Sequence, residues 1–284
     1  MNGLISLERK RFHKAVLEKL ITVDKGIPNF ADKDSKSSRE IAKTIVKLLG
    51  VAKESIKGAG QTSGSDFEEM CAKFISDTFL KLKVLRPGKW EIRKVGSRSG
   101  AGISSFEQYS HLADLKKLSE ENATLAAVLG NDYTISPDIV LLREPEEDAF
   151  INEKIKIVDN QSARYSPLRK SNSSKVILHA SISCKWTLRS DRAQNARAEA
   201  LNLMRNRKGR CPHIIVITAE PLPSRLSSLA LGTGDIDCVY HFALSELIEA
   251  VKVFGNEEAL SMLNIMIDGK RLKDISDLPL DLCV

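Results

Sequence analysis

Apolar residues recur at helical spacing over 4–22 (Leu7, Phe12, Val16, Leu20) and predict a first amphipathic helix. The segment 23–38, with Gly26, Pro28 and the run DKDSKSS, predicts a loop. Ser37 or Ser38 then suits the cap of a helix that carries Ile41, Ile45 and Leu48 and ends at Gly50. A second polar loop, 58–66, leads to a helix over 65–83. Its apolar face is Phe67, Cys71, Phe74, Ile75 and Phe79, and Glu68 and Glu69 fall in its first turn, where the helix dipole favours carboxylates. Pro87-Gly88 predicts a turn, and KWEIRKV a short strand over 89–95.

Beyond this point the pattern changes period. Residues 104–129 predict two helices broken near Asn122, and 133–142 (YTISPDIVLL) a strand with Pro137 near its start. The run IVLL is continuous, as in a strand buried on both faces. Residues 144–174 are charged and then rich in Ser, Asn and Arg, which predicts a surface excursion with one strand at 155–158. Strands over 175–186 and 213–219 bracket a helix over 191–207, and a strand over 236–244 precedes helices over 245–254 and 257–266. No repeat or low-complexity linker divides the chain. The expectation is an α/β fold with a mixed central sheet flanked by helices, in one domain covering 1–284.

Composition changes this picture little. A chain of 284 residues, 42% hydrophobic and 28% charged, has ordinary globular character and can bury a core without staples. The 43 basic and 37 acidic residues leave +6, which permits a polyanionic partner without requiring one. Cys71, Cys184, Cys211, Cys238 and Cys283 are scattered, with no CxxC pair, so neither a disulfide framework nor a zinc site is expected. The first residues, MNGLISLERKRFHKAV, lack a long apolar run, so no signal peptide or membrane span is expected and the predicted location is cytoplasmic.

The chemistry concentrates in His179–Arg192, HASISCKWTLRSDR. Along a strand Ser183 and Lys185 point one way and Cys184 the other. A lysine at a strand end can orient a water or stabilise charge in phosphoryl chemistry, provided an acidic metal ligand is near. Asp138, within an apolar strand, suits that part; capping a turn after Pro137 accounts for it equally well. Many metal-dependent nucleases carry an acid two residues before such a lysine. Ser183 stands there instead, and Glu199, on the following helix beside Ala198 and Ala200, could replace it or be a solvated surface glutamate. In Arg189-Ser190-Asp191-Arg192, Ser190 or Asp191 fits a helix cap, and a surface ion-pair cluster is the plain alternative. The same residues at a helix start suit base reading in a major groove, since arginine pairs with guanine O6 and N7 and aspartate accepts from cytosine N4. Arg197, Arg205, Arg207, Lys208 and Arg210 continue a basic face.

At these residues the sequence resembles the type II restriction endonucleases of the PD-(D/E)XK superfamily, in particular their tetrameric group. The likeness runs over nearly the whole chain. It is densest in HASISCKWTLRSDRAQNARAE (179–199), NRKGR (206–210), LGTGDIDCVYHFAL (231–244) and GKRLKDISDLPLDL (269–282), differs over 23–38 and lapses over 144–174. The resemblance implies a restriction-endonuclease-like core and a Mg2+ cofactor. Asp138 would be the shared ligand with the Cys184 carbonyl beside it, Lys185 would act on the attacking water, and Glu199 would be the displaced acid. Glu68 would be a further active-site carboxylate, with Ser183 at the position of the missing one. Arg189, Asp191 and Arg192 would read a CCGG core, Gln61 would contact the minor groove, and Arg225 and Asp32 would read the outer base pair. The implied partner is double-stranded DNA with a palindromic, G/C-rich site, GCCGGC, cut to leave 5′ overhangs by a homotetramer built as a dimer of dimers. A sequence-specific DNA-binding protein without nuclease activity is the alternative, as is the same enzyme type with a different outer base.

Overall fold

The fold is that of a computed structural model, which describes residues 3–50, 53–54, 62–95, 102–122, 124, 137–232 and 234–284. Gln61, the start of the strand predicted over 133–142, and nearly all of the helix predicted after Asn122 lie outside these residues. In chain order the elements are α1 (Leu4–Lys19), β1 (Thr22–Asp24), β2 (Ile27–Pro28), α2 (Lys36–Leu49), β3 (Lys53–Glu54), α3 (Thr62–Phe79) and β4 (Trp90–Lys94). Next come α4 (His111–Glu121), β5 (Ile139–Arg143), β6 (Ile177–Lys185), α5 (Ser190–Asn206), β7 (His213–Thr218) and α6 (Pro223–Ala230). The chain closes with β8 (Cys238–His241), α7 (Leu244–Phe254), α8 (Glu257–Asp268), β9 (Leu272–Asp274) and a short turn of helix at Leu278–Asp281. Helices flank a six-stranded mixed sheet of order β4-β5-β6-β7-β8-β9, the α/β class that the pattern predicted. Its β4–β5 pair is antiparallel and its β7–β8 and β8–β9 pairs are parallel.

The chain divides into two compact units: 1–82, 182–198 and 214–284 form the first, and 83–181 with 199–213 the second. In the first, Phe12 and Val16 of α1 and Phe67, Phe74, Ile75 and Phe79 of α3 are buried, so the predicted apolar stripes do face the core. Each such side chain contributes roughly 1.5–3 kcal/mol by burial. Leu7 of α1 and Leu48 of α2, assigned to apolar faces from spacing, are 41% and 50% exposed. Three further expectations are corrected here. The 23–38 segment is not all loop, because β1 and β2 form a small antiparallel hairpin and β3 pairs parallel to β1. Lys25 and Gly26 make its tight turn, both at positive φ. The cap of α2 is Ser35, whose hydroxyl accepts from the Ser38 amide at 3.2 Å, and not Ser37 or Ser38. Finally, α3 starts at Thr62, so Glu68 and Glu69 sit in its second turn and gain little from the helix dipole.

Charge also closes the first unit. Arg9 of α1 donates to both oxygens of Asp274 (2.8 and 2.7 Å) and to both of Glu246 (3.0 and 2.7 Å). This double fork ties the first helix to the ends of β9 and α7 and holds both carboxyls below their usual range against the effect of burial.

In the second unit, Ile139 to Leu142 of β5 are fully buried and pair in register with Lys94 to Glu91, so the continuous apolar run is a fully enclosed strand as expected. Residues 144–174 are better ordered than composition suggested, and 155–158 form no strand. Arg169 organises them instead: it is buried, forks onto Asp148 (2.9 and 2.6 Å) and donates to the carbonyls of Asp159 (3.1 Å) and Ser162. Backbone bonds from Glu146 to Leu168 and from Lys170 to Glu146 complete the clasp. A buried cation with several acceptors fixes a segment that has no apolar periodicity to fix it.

Candidate functional site

In the first unit, β6 ends at Lys185, and Trp186 turns the chain toward α5. Trp186 is 5% exposed and packs edge-on or tilted against Phe30, Phe67 and Phe242, with ring centroids 5.5, 5.0 and 6.0 Å away. This aromatic cluster fixes where the following residues emerge. Leu188 is buried, Arg189 occupies the cap position of α5, its carbonyl accepting from Ala193 at 3.0 Å, and Asp191 falls in the first turn. Neither Asp191 nor Ser190 is therefore the cap residue. Arg189, Asp191 and Arg192 are exposed at this helix start, and Arg192 donates to the Thr187 hydroxyl at 2.7 Å.

Four of the residues expected to read DNA meet in one cavity of about 230 Å³. Asp32, Arg189, Arg192 and Arg225 line it, over a floor that includes Trp186 and Phe30. Arg225, near the start of α6, donates to Asp32 although 193 positions separate them in sequence. Asp32 is held below the usual carboxylate range, first by the Asp34 amide and then by Arg225. Asp191 is at the neighbouring helix surface and does not line the cavity. An open polar hollow with three guanidinium groups and one carboxylate suits hydrogen bonding to base edges and phosphates. Arg197 is taken up elsewhere, donating to the Ser228 carbonyl, so the basic face narrows to fewer residues than its sequence suggested.

Beneath this cavity lies a residue that the sequence reading missed. Glu220 is fully buried just beyond β7, and one carboxylate oxygen accepts from the Leu188 amide at 2.8 Å and lies 3.7 Å from Arg225 Nη1. Its other oxygen accepts from the Leu222 amide at 3.2 Å. Burial pushes its pKa up to about 7, and the two amides and Arg225 only partly oppose that. A lone acid after the apolar run HIIVITA was the available signal.

The residues expected to perform chemistry fall in both units. Ser183 and Cys184 are buried near the end of β6, Lys185 is half-buried at its last position, and Glu68 is half-buried on α3; all four belong to the first unit. Asp138 and Glu199 belong to the second. Asp138 immediately precedes β5, its carbonyl accepting from Val95 at 3.0 Å, and its side chain is half-buried where deep burial was expected. Glu199 flanks the buried stripe Ala196, Ala200 and Leu203 of α5 and is itself half-buried, so it is not a fully solvated glutamate. Among the described residues no three His, Cys, Asp or Glu side chains gather to hold a metal ion, and no helix is long and apolar enough to cross a membrane.

The geometry is thus a buried strand ending in Lys185, followed at once by a helix start with exposed Arg189, Asp191 and Arg192. Sequence comparison gives the class to which it belongs, the type II restriction enzymes. The family model described as NgoMIV restriction enzyme matches residues 12–284, and the chain belongs to that family. The type II restriction enzyme NgoMIV of Neisseria gonorrhoeae is 54% identical over 286 residues, covering the whole of both chains. Among solved structures, the Bse634I restriction endonuclease aligns over 81% of each chain with 15% identity and a TM-score of 0.40, too distant a likeness to support the fold by itself. The chain is thus a type II site-specific deoxyribonuclease whose partner is double-stranded DNA, and the alternative of a non-cleaving DNA-binding protein falls away.

Proposed function

We propose that the protein hydrolyses both strands of a palindrome with a CCGG core, GCCGGC, in a Mg2+-dependent reaction that leaves 5′ overhangs. The observation that carries the reading is the cavity shared by Asp32, Arg189, Arg192 and Arg225. It supports a division in which Arg189, Asp191 and Arg192 read the core while Arg225 and Asp32 read the outer pair, with Gln61 at the minor groove. Each arginine donates to guanine and the aspartates accept from cytosine amino groups.

For the chemistry, Asp138 and Glu199 would supply carboxylates to Mg2+, with the main-chain carbonyl of Cys184. This is a set of hard oxygen donors of the kind Mg2+ prefers, and Mg2+ ordinarily takes one or two carboxylates with water and phosphate oxygens, so a cage of three side chains is not required. Bound there, the ion would supply Lewis-acid stabilisation of the charge that develops on the phosphate. Lys185, at the end of β6, orients the attacking water and lowers the cost of its deprotonation. Glu68 adds a third carboxylate to the active site, and Ser183 stands at the position that an acid would fill. All 284 residues act as one endonuclease domain, cutting and reading together. A palindrome asks for a two-fold arrangement of protomers, one reading cluster to each half-site, and we extend this to a dimer of dimers engaging two sites.

The test uses plasmids with and without GCCGGC. Cleavage is expected in Mg2+ for the site-bearing plasmid alone, with binding but no cutting in Ca2+. An intact site-bearing plasmid in Mg2+ would sink the proposal.

A further inference from the structure

We propose that Glu220 is a positioning residue that holds the core-reading segment Trp186–Arg192 and the Arg225-bearing helix α6 in one fixed arrangement. The proposal rests on the reading of DNA recognition above and deepens it. Three connections carry it. The Leu188 amide, one residue before Arg189, donates to one carboxylate oxygen at 2.8 Å. The Leu222 amide, at the start of α6, donates to the other at 3.2 Å. Arg225 Nη1 lies 3.7 Å from the first oxygen, while the same guanidinium pairs with Asp32 at the cavity wall. A single buried side chain thus fixes the backbone on which the core readers stand and the backbone from which the outer reader projects.

The surroundings of Glu220 are one-sided. The groups facing its carboxylate are the two amides and the Arg225 guanidinium, all donors, with Asp32 beyond Arg225 as the other nearby charge. The imidazole of His241 approaches from β8 on the main-chain side and is kept neutral by burial, its pKa pushed down to about 4. A carboxylate satisfies this set of donors and a carboxylic acid does not, because its O–H would point at another N–H. Ionisation of Glu220, shifted by burial to about pH 7, should therefore tune recognition in the neutral range.

Wild-type protein and Glu220→Gln are titrated in Ca2+ with duplexes carrying CCGG flanked by each of the four outer pairs and with a scrambled duplex, at pH 6 and pH 8. At pH 8 the wild type should separate its best outer pair from its worst, and that ratio should fall about tenfold at pH 6, the scale of one charge-assisted hydrogen bond. Glu220→Gln should show the low ratio at both pH values while still melting cooperatively. The wild-type pH profile needs no variant, so it stands even if the substitution harms folding. A wild-type outer-pair preference that both pH and Glu220→Gln leave unchanged would overturn the positioning role alone. Equal affinity for all duplexes, scrambled included, would overturn the recognition reading and this one with it.

Discussion

Replacing Glu220 with Gln has a thermodynamic consequence that is independent of DNA. The ordinary pKa of 4.5 rises to about 7 in the fold because burial disfavours the ionised form. At about 1.4 kcal/mol for each pH unit, ionised Glu220 costs the native state about 3 kcal/mol. The sign follows from linkage: with the folded pKa raised, the group's favourable contribution is fully present below pH 4.5 and is lost as pH rises through 7. Gln removes this titration. It also turns an amide N–H toward one of the backbone donors, at Leu188 or Leu222, which costs about 1–3 kcal/mol at every pH. The difference in stability between Glu220→Gln and wild type should therefore move in favour of the variant by about 3 kcal/mol between pH 4.5 and pH 8. For a chain of this size that is a relative gain of about 5 °C in melting temperature. Paired thermal melts by circular dichroism across this pH range measure it directly, and other titrating groups cancel in the difference. A pH-independent difference, or one that moves toward the wild type as pH rises, would refute the dominance of burial over the three donors at Glu220.

Other consequences are read from individual contacts. Lys185→Ala should abolish cleavage in Mg2+ and leave Ca2+-supported binding within about threefold by gel shift, since the lysine is assigned to chemistry rather than affinity. Arg189→Ala should cost roughly 1–3 kcal/mol of discrimination at a core G·C pair, measured by competition with single-substituted duplexes. Arg9→Ala leaves the carboxylates of Asp274 and Glu246 without their shared cation. It should lower stability by about 2–3 kcal/mol in urea melts at pH 7. Because both carboxyls lie below their usual range, that loss should shrink as pH falls through the carboxylate range. Chelation with EDTA should stop cutting and excess Mg2+ restore it, scored on plasmid gels.

Where an element is defined by one apolar face, its residues announce it. The strand HIIVIT and the helix over Ser190–Asn206 lie within a residue or two of their predicted bounds. Strand β5 ends one residue past its predicted end, though it begins only at Ile139, after Pro137 and Asp138, which the pattern placed inside the strand. The hairpin at Thr22–Pro28 was hidden because its strands are too short for alternation to register. The true start of α3 was hidden because Thr62, Gly64 and Ser65 have loop composition yet continue a helix that is buried farther along. Among site residues, the adjacency of Lys185 and Arg189–Arg192 is local in sequence and was legible. The meeting of Asp32 with Arg225 came from the family resemblance, since no local pattern links positions 193 apart. Glu220 escaped notice for a different reason: a buried acid is recognised by the amides that point at it, and those belong to the folded chain.

We propose cleavage at a CCGG-centred palindrome read by the arginine-lined cavity. Its most direct test is the set of end sequences produced when DNA of known sequence is digested in Mg2+. Every fragment should end in a 5′ overhang derived from GCCGGC. Intact DNA, or ends that share no CCGG, would contradict it.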